Sequence, residues 1–362
     1  MSLNTVYFDN LDEEELLLSS MDWTKPEYSN QEIDHAGIIL IDKKSTKEEH
    51  AVALKIIDNF KASHNFPLNC FQIWLRNNAK LIDPKCLVVQ RIKRLSSIRH
   101  KLQRMKKRSL RLSEMQDIGG CRAVVANIDY VRQLEEKYAK SRIRHKLAYK
   151  DDYIKEPRKS GYRSLHLIYE YYSDRADTYN GKRVEIQLRT PLQHAWATAV
   201  EAVDTFTNQV LKAGGGEEEW RRFFKLVGTA IAMREGSKSH VPDTPNNKHS
   251  LQTEIKNYRE QIAVIRRLKL YGETLNYLQK HLKLAKYFVL KLDSLTHFIE
   301  VSGYKEEKAG SEAVAKIEKE ENKNIDAVLV STEEHTSLRR AYPNYFLDIK
   351  AFINYLDVFL KT

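Results

Sequence analysis

Cysteine is scarce in this sequence: three in 362 residues, Cys70, Cys86 and Cys121, widely spaced and without a Cys-x-x-Cys pair. An odd number with no metal-type spacing argues against a disulfide frame and against a zinc site, so reduced thiols and a cytoplasmic protein are expected. Long apolar runs are missing too. No stretch approaches the roughly 20 residues of a membrane-spanning helix. The acidic start MSLNTVYFDNLDEEELLL lacks the basic-then-apolar order of a secretory signal, so neither membrane insertion nor secretion is expected. Glycine-built phosphate cradles are absent in both common forms, Gly-x-x-x-x-Gly-Lys-Ser/Thr and Gly-x-Gly-x-x-Gly, which leaves side chains to hold any phosphate ligand. Finally, negative charge is missing from one place: between Arg91 and Ser113 stand ten Lys or Arg and no Asp or Glu.

What is present is positive charge. The formal net charge is +11, which points to a polyanionic partner or substrate, and the length suffices for two or three domains. Within the basic segment Ile92, Leu95, Ile98 and Leu102 keep helical spacing. A charge run is ordinarily a solvated helix face, but the complete lack of carboxylates favours an anion nearby. Residues 1–45 read as an acidic lead-in and 46–236 as the main domain, with helical patterning from Lys47 and a packing helix around Phe71, Trp74 and Leu75. A polar linker, SKSHVPDTPNNKHS, closes it over 237–250 and is expected to let the tail move. Leu251, Ile255, Tyr258, Ile262 and Ile265 predict a long amphipathic helix in a connecting segment over 251–286. Residues 287–362 read as a small module of strands YFVLKL, THFIEV and IDAVLVS with intervening and trailing helices. The fold class is α+β: a mixed sheet flanked by helices, then long helices and a small α+β module.

Alternation predicts the sheet. In KRVEIQLRT, Val184, Ile186 and Leu188 fall on one face and Arg183, Glu185, Gln187 and Arg189 on the other, because successive side chains of a strand point to opposite faces. In YRSLHLIYEYY, Leu165 and Leu167 oppose Tyr162, Ser164 and His166, and GGCRAVVANI brings Arg122 into a third strand. Thr190 and Pro191 are a helix start, and the helix LQHAWATAVEAVD places His194 and Glu201 on one face. Tyr162 follows Lys-Ser-Gly ahead of a strand rather than within one. Gly161 permits a turn, so Tyr162 is expected at a loop tip beside Arg158, Lys159 and Arg163, as a platform for a nucleobase above phosphates.

Arg91, Lys93, Ser97 and Lys101 recur at intervals that suit a triphosphate clamp. Asp117 and Glu185 are carboxylates able to hold Mg²⁺ together with substrate phosphates, and Glu185 is equally suited to deprotonating a hydroxyl. Phosphoryl-type transfer and a passive basic binding module both remain open on these residues alone.

Four segments, RIKRLSSIRHK, DIGGCR, DYIKEPRKSGYRSLH and VEIQLRTPLQHAWA, occur in the order and near the spacing of the synthetase domain of the RelA/SpoT alarmone synthetases, a nucleotidyltransferase-like fold. The resemblance implies transfer of the β and γ phosphates of ATP onto the 3′-hydroxyl of a guanine nucleotide, with AMP leaving. It implies that Arg91 and Arg122 sandwich the adenine, that Lys93, Ser97 and Lys101 hold the phosphates and that Asp117 binds Mg²⁺. Glu185 would activate the acceptor hydroxyl and share the metal, Tyr162 would stack on the acceptor base, and Arg158, Ser164, His166, Gln187 and His194 would support the acceptor.

No histidine is followed by Asp, so the hydrolase centre of that family is not expected. Pro157-Arg158 stands where many alarmone synthetases carry Pro-Lys. The tail resembles the fused antitoxin module of the toxic, CapRel-like branch, a zinc-finger-like fold without metal that bears a Tyr-x-x-Tyr motif, here Tyr342-Pro343-Asn344-Tyr345. That resemblance implies a self-inhibited toxin in anti-phage defence. It would modify the CCA end of transfer RNA, with Tyr342 and Tyr345 covering the adenine site and a phage structural protein, such as a capsid protein, as trigger. Arg104, Lys106, Lys107, Arg108, Lys137, Lys140, Arg142 and Arg144 are the expected RNA contacts. The rivals are an ordinary synthetase of guanosine or adenosine alarmones and a non-catalytic RNA-binding protein.

Overall fold

The computed structural model describes residues 23–106, 109–141, 143–207, 211, 215–269, 271–272, 285–293, 299–318, 325–331 and 345–361. Backbone packing divides the chain into two compact units, Met1–Asp151 with Leu165–Arg189, and Asp152–Ser164 with Thr190–Thr362. The first is built on a five-stranded sheet of β1 (Leu87–Ile92), β2 (Gly119–Val124), β3 (Lys146–Asp152), β4 (Leu165–Glu170) and β5 (Arg183–Arg189), in the order β1-β2-β5-β4-β3. β2 and β5 run parallel, whereas β1 with β2 and β4 with β5 are antiparallel. Helices α1 (Asn30–Ile41), α2 (Lys47–Ala62), α3 (Asn65–Ile82), α4 (Leu95–Met105) and α5 (Ile128–Lys140) complete it.

Three features of this unit depart from expectation. α1 lies in the stretch read as a lead-in, and buries Ile33, Ala36 and Leu40 against α2 residues such as Ile57 and α4 residues such as Ile98 and Leu102. Its start carries a readable signal, a capping box in which Ser29 and Glu32 satisfy each other's backbone groups. The stripe from Ile92 is not one helix: Ile92 ends β1, and α4 begins at Leu95. β3 shows no apolar alternation because it is a largely exposed edge strand. By contrast Phe71, Trp74 and Leu75 are buried on α3 as expected.

The second unit holds α6 (Pro191–Thr207), α7 (Glu218–Arg234), α8 (Lys248–Gln261), α9 (Glu307–Glu318) and α10 (Tyr345–Lys361). An antiparallel sheet of β6 (Tyr287–Asp293), β7 (Ile299–Tyr304) and β8 (Ile325–Ser331) has β6 in the centre. One apolar core joins Trp196 and Val200 of α6, Trp220, Phe223 and Phe224 of α7, Leu251 and Ile255 of α8, and Phe352 and Leu356 of α10. The C-terminal helix therefore shares its core with helices that follow the first sheet in sequence, and is not part of a separate module. The polar segment read as a mobile linker is fastened within this unit. Its Ser237 hydroxyl and Ser239 carbonyl accept bonds from Arg163, Val241 is buried, and Thr244 bonds Thr229. The expected long helix breaks at Ile262 and Ala263, the latter at φ +47°, before residues 264–269 turn helical again. No described helix is long and apolar enough to cross a membrane.

Burial of His64 makes the first unit acid-sensitive. The ring is 2% exposed, its Nδ1 lies 2.7 Å from the Phe60 carbonyl, and it packs edge-on against the Phe60 ring. Desolvation, with the like charge of Lys182, pulls its pKa down to about 3. Burial likewise brings His145 down to about 4. Below the unfolded value near 6.5 the unfolded chain takes up protons that the folded one refuses, so stability falls as pH drops toward these folded values. For one such group the slope is about 1.4 kcal/mol per pH unit. Urea midpoints measured from pH 7 to pH 5 are expected to fall, and His64→Leu to flatten the decline; an equal slope in the variant would remove His64 as its source.

Candidate functional site

The strand register assembles a polar rank. On one sheet face Arg122 of β2, Gln187 of β5 and His166 of β4 are direct cross-strand neighbours, and the next rank holds Arg91 of β1, Gly120 of β2 and Glu185 of β5. Arg122, His166 and Gln187 are buried. The opposite face carries Val184, Ile186 and Leu188, all fully buried. The alternation read from the sequence is thus the alternation of the sheet. Gly120 separates Arg91 from Glu185 and leaves space there: a Cβ built on it would lie 3.9 Å from Glu185 Oε2.

Hydrogen bonds lock the rank together. His166 Nδ1 lies 2.8 Å from Glu185 Oε1, and Gln187 Nε2 donates to Glu185 Oε2 at 2.6 Å. Gln187 Oε1 in turn accepts from Arg122 Nε at 3.1 Å and from Arg189 Nη2 at 2.9 Å. Burial pushes the Glu185 carboxyl upward, but His166, Gln187 and the charge of Arg91 outweigh it and hold the group far below the usual carboxylate range. Glu185 is therefore a largely enclosed, ionised carboxylate, its side chain 14% exposed. Gln187, expected beside the acceptor, instead links that carboxylate to Arg122 and Arg189.

Beside this rank lies an ion triad. Lys93 follows β1, Lys101 sits on α4 one turn after Ser97, and Asp117 precedes β2. Asp117 Oδ2 lies 2.6 Å from Lys93 Nζ and Oδ1 lies 2.8 Å from Lys101 Nζ. Burial raises the Asp117 pKa and so does the charge of Glu185, yet the two ammoniums prevail and hold it below its ordinary value. Desolvation lowers the Lys93 pKa despite Asp117, with Arg91 adding to the fall.

Oxygen-only carboxylate ligands suit Mg²⁺, a hard cation that is commonly held by one or two carboxylates plus substrate phosphates. Among the described residues no three His, Cys, Asp or Glu gather into a complete protein-built metal site. Asp117 and Glu185, the two carboxylates expected to share Mg²⁺, offer oxygen donors of the kind that suit such an ion, each already paired as described.

The remaining residues expected to support an acceptor lie in the second unit. Tyr162 is not at an exposed loop tip: it is 4% exposed, with ring centroids of Trp196 at 6.1 Å and Tyr153 at 5.9 Å. The cause is Gly161, which approaches Gly228 of α7 so closely that a Cβ on Gly228 would meet the Gly161 carbonyl at 2.5 Å. Gly161 itself has φ +92°. The glycine draws the loop inward instead of presenting the tyrosine. Arg158 is exposed and lies 4.2 Å over the Tyr153 ring. Ser164 is fully buried, its carbonyl accepting from Tyr153 N. His194 is 2% exposed, with Nε2 3.2 Å from Asp348 of α10. Arg163, expected beside Tyr162 near phosphates, is buried and fastens this loop by donating to the carbonyls of Ile154 and Ser239 and the hydroxyl of Ser237.

Of the expected RNA contacts, Arg104, Lys106, Lys137, Lys140 and Arg144 are exposed, but Lys140 pairs with Glu136 and Arg144 with Asp174. Lys107, Arg108 and Arg142 lie outside the described residues, as do Tyr342 and the side chain of Tyr345, whose backbone opens α10.

Residues 90–209 match the sequence model of a family described as a region found in RelA / SpoT proteins. Every candidate synthetase residue from Arg91 to His194 falls inside that segment. Over 119 residues the chain is 34% identical to the GTP pyrophosphokinase YjbM of Bacillus subtilis, covering 32% of this chain and 54% of that protein. The chain thus spans about half the length of this curated relative. Solved structures with similarity include the small alarmone synthetase 1 of Bacillus subtilis bound to its product pppGpp, at 23% identity and a TM-score of 0.43 over 50% of this chain and 94% of that one. A GTP pyrophosphokinase family protein of Streptococcus pneumoniae gives 23% identity and a TM-score of 0.42 over 53% and 91%.

Two expectations follow from the packing. Gln187→Leu removes partners from a largely enclosed carboxylate and from two guanidiniums at once, so a loss of about 2–4 kcal/mol is expected in chemical unfolding; a loss below about 0.5 kcal/mol would mean that the rank contributes no stability. Gly228→Ala forces backbone apart at the Gly161 contact, where a Cβ would meet the Gly161 carbonyl oxygen at 2.5 Å, and is expected to destabilise the second unit by about 1–3 kcal/mol, read as a fall in thermal midpoint relative to the unsubstituted protein; an unchanged midpoint would mean that this contact imposes no constraint.

Proposed function

We propose that the RelA/SpoT-type segment of this chain is an ATP-dependent pyrophosphotransferase. The observation that supports this best is the largely enclosed, ionised Glu185 beside the Lys93–Asp117–Lys101 triad, on a sheet face that also carries Arg91 and Arg122. A protein needing only phosphate affinity has no use for two carboxylates among its basic groups. In this reading Arg91 and Arg122 hold the adenine between guanidinium planes, and Lys93, Ser97 and Lys101 take the phosphates. The 3′-oxygen of an acceptor attacks the β-phosphorus of ATP, the bond from that phosphorus to the α-phosphate oxygen breaks, and AMP leaves. The acceptor's proton passes to Glu185. His166 and Gln187 keep that carboxylate aimed, and the gap at Gly120 leaves room beside it. Mg²⁺ bound at Asp117 and Glu185 would supply charge neutralisation for the transferring phosphates.

For the acceptor we favour the 3′ end of transfer RNA, on the strength of the net charge of +11 and the exposed Arg104 and Lys106 next to α4. Modification there would block aminoacylation and stop translation, in keeping with a self-inhibited defence toxin released by a phage structural protein. The rival is a guanine nucleotide, and the name of the YjbM relative favours it.

Labelled ATP offered with transfer RNA or with GDP and GTP separates the two. Glu185→Gln is expected to lower transfer by about 10²–10⁴-fold while ATP binding, followed by equilibrium dialysis, stays near wild type. Near-normal turnover in that variant would move the active site elsewhere. Reversing the charges of Arg104 and Lys106 should weaken transfer to RNA in a salt-dependent manner without comparable loss of ATP affinity; unchanged RNA transfer at every salt concentration would favour the mononucleotide.

A further inference from the structure

Asp117 carries two duties that conflict in the free protein. Both of its oxygens are engaged by ammonium groups, Oδ2 with Lys93 at 2.6 Å and Oδ1 with Lys101 at 2.8 Å. Neither oxygen faces outward as a ready cation ligand: the Asp117 side chain is only 20% exposed, with Lys93 at 11% and Lys101 at 27%. The neighbouring carboxylate offers no substitute, because Glu185 accepts from His166 on one oxygen and from Gln187 on the other. A divalent cation approaching alone would meet two ammonium charges at Asp117, which repel it, and at Glu185 a carboxylate already bonded through both oxygens.

We propose that the Lys93–Asp117–Lys101 triad is an ion-exchange lock, in which nucleotide phosphates draw the two lysines off Asp117 and only then open it to the divalent cation. The proposal rests on the assignment of these lysines to the ATP phosphates given above. Charge is conserved in each step: two ammonium–carboxylate contacts become ammonium–phosphate contacts, and the freed carboxylate gains the cation that the phosphates bring. In the empty site the lysines keep Asp117 paired, so the half-buried carboxylate is not left uncompensated. Metal and nucleotide enter as one unit, and binding of metal ahead of nucleotide is disfavoured. The lysines also keep their positions without ligand, since each is held by the carboxylate it later releases; the clamp is organised before ATP arrives.

The test uses the full-length protein with Mn²⁺ as a spectroscopic probe, its free concentration followed by electron paramagnetic resonance. The nucleotide is the α,β-methylene analogue of ATP, in which the bond to be broken is blocked. Wild type is expected to take up Mn²⁺ only with the analogue present. Lys101→Met should bind Mn²⁺ without nucleotide at least about tenfold more tightly than wild type, and adding Asp117→Asn should abolish that gain. Lys93→Met provides an independent second variant, and both are checked for folding by thermal unfolding. Equal Mn²⁺ uptake by wild type with and without the analogue would overturn the lock, as would folded lysine variants that gain no affinity. If wild type fails to bind the analogue in equilibrium dialysis, the assignment of the site to ATP falls and the lock falls with it; normal analogue binding with nucleotide-independent Mn²⁺ sinks the lock alone.

Discussion

A carboxylate largely withdrawn from water needs partners, and much of the first unit is arranged around the one at Glu185. Removing such a group from water costs several kcal/mol unless partners compensate, so Glu185 demands donors from more than one strand. His166 supplies one from β4 and Gln187 one from β5, and Gln187 is itself pinned by Arg122 of β2 and by Arg189. These bonds cross three strands at fixed register. A slip of one residue in any strand would send its contribution to the apolar face and bring an aliphatic side chain into the polar rank. Polar satisfaction on one face and burial of Val184, Ile186 and Leu188 on the other therefore select the same pairing.

The same economy of charge governs the triad at Asp117. Two lysines with no local acid on their own segment would repel each other and lose hydration together. Asp117, reached only through the fold from the turn before β2, gives them a shared counter-ion. A segment that looks in sequence like an unrelieved run of positive charge is in fact paired at Lys93 and Lys101, and at Arg111 with Glu114, while Arg99, Arg104 and Lys106 remain exposed.

In the second unit the governing contact is backbone on backbone. Gly161 against Gly228 leaves no space for side chains, and the loop from Asp152 to Ser164 is drawn onto α7 with Arg163 as its anchor. Trp196 reinforces the seam by donating from its indole N–H to the Phe224 carbonyl at 2.9 Å. Tyr162 is buried as a consequence, and α10 completes the core through Phe352, which lies 6.1 Å from Phe224. Packing of α10 also places Asp348 against His194, a partnership between residues far apart in the chain.

By itself the sequence determined those features whose cause is local. Period-two alternation identified the polar and apolar faces of β5, since a strand's geometry admits no other outcome. The Thr190-Pro191 start of α6, the packing stripe of α3 and the strands of the second sheet were legible for similar reasons, and motif order pointed to the region that matches RelA/SpoT proteins. Features set by distant partners were not legible. α1 carries its own capping box but earns its place by packing on α2 and α4. β3 lacks alternation because an edge strand buries little. Gly161 reads in isolation as a turn that exposes Tyr162, whereas its real constraint is Gly228. The roles of Gln187 and Asp117 likewise depend on which donors arrive from other strands and helices. Pairwise contacts at long sequence separation leave no periodicity behind, so tertiary structure alone decided which polar groups are buried together and which are left facing water.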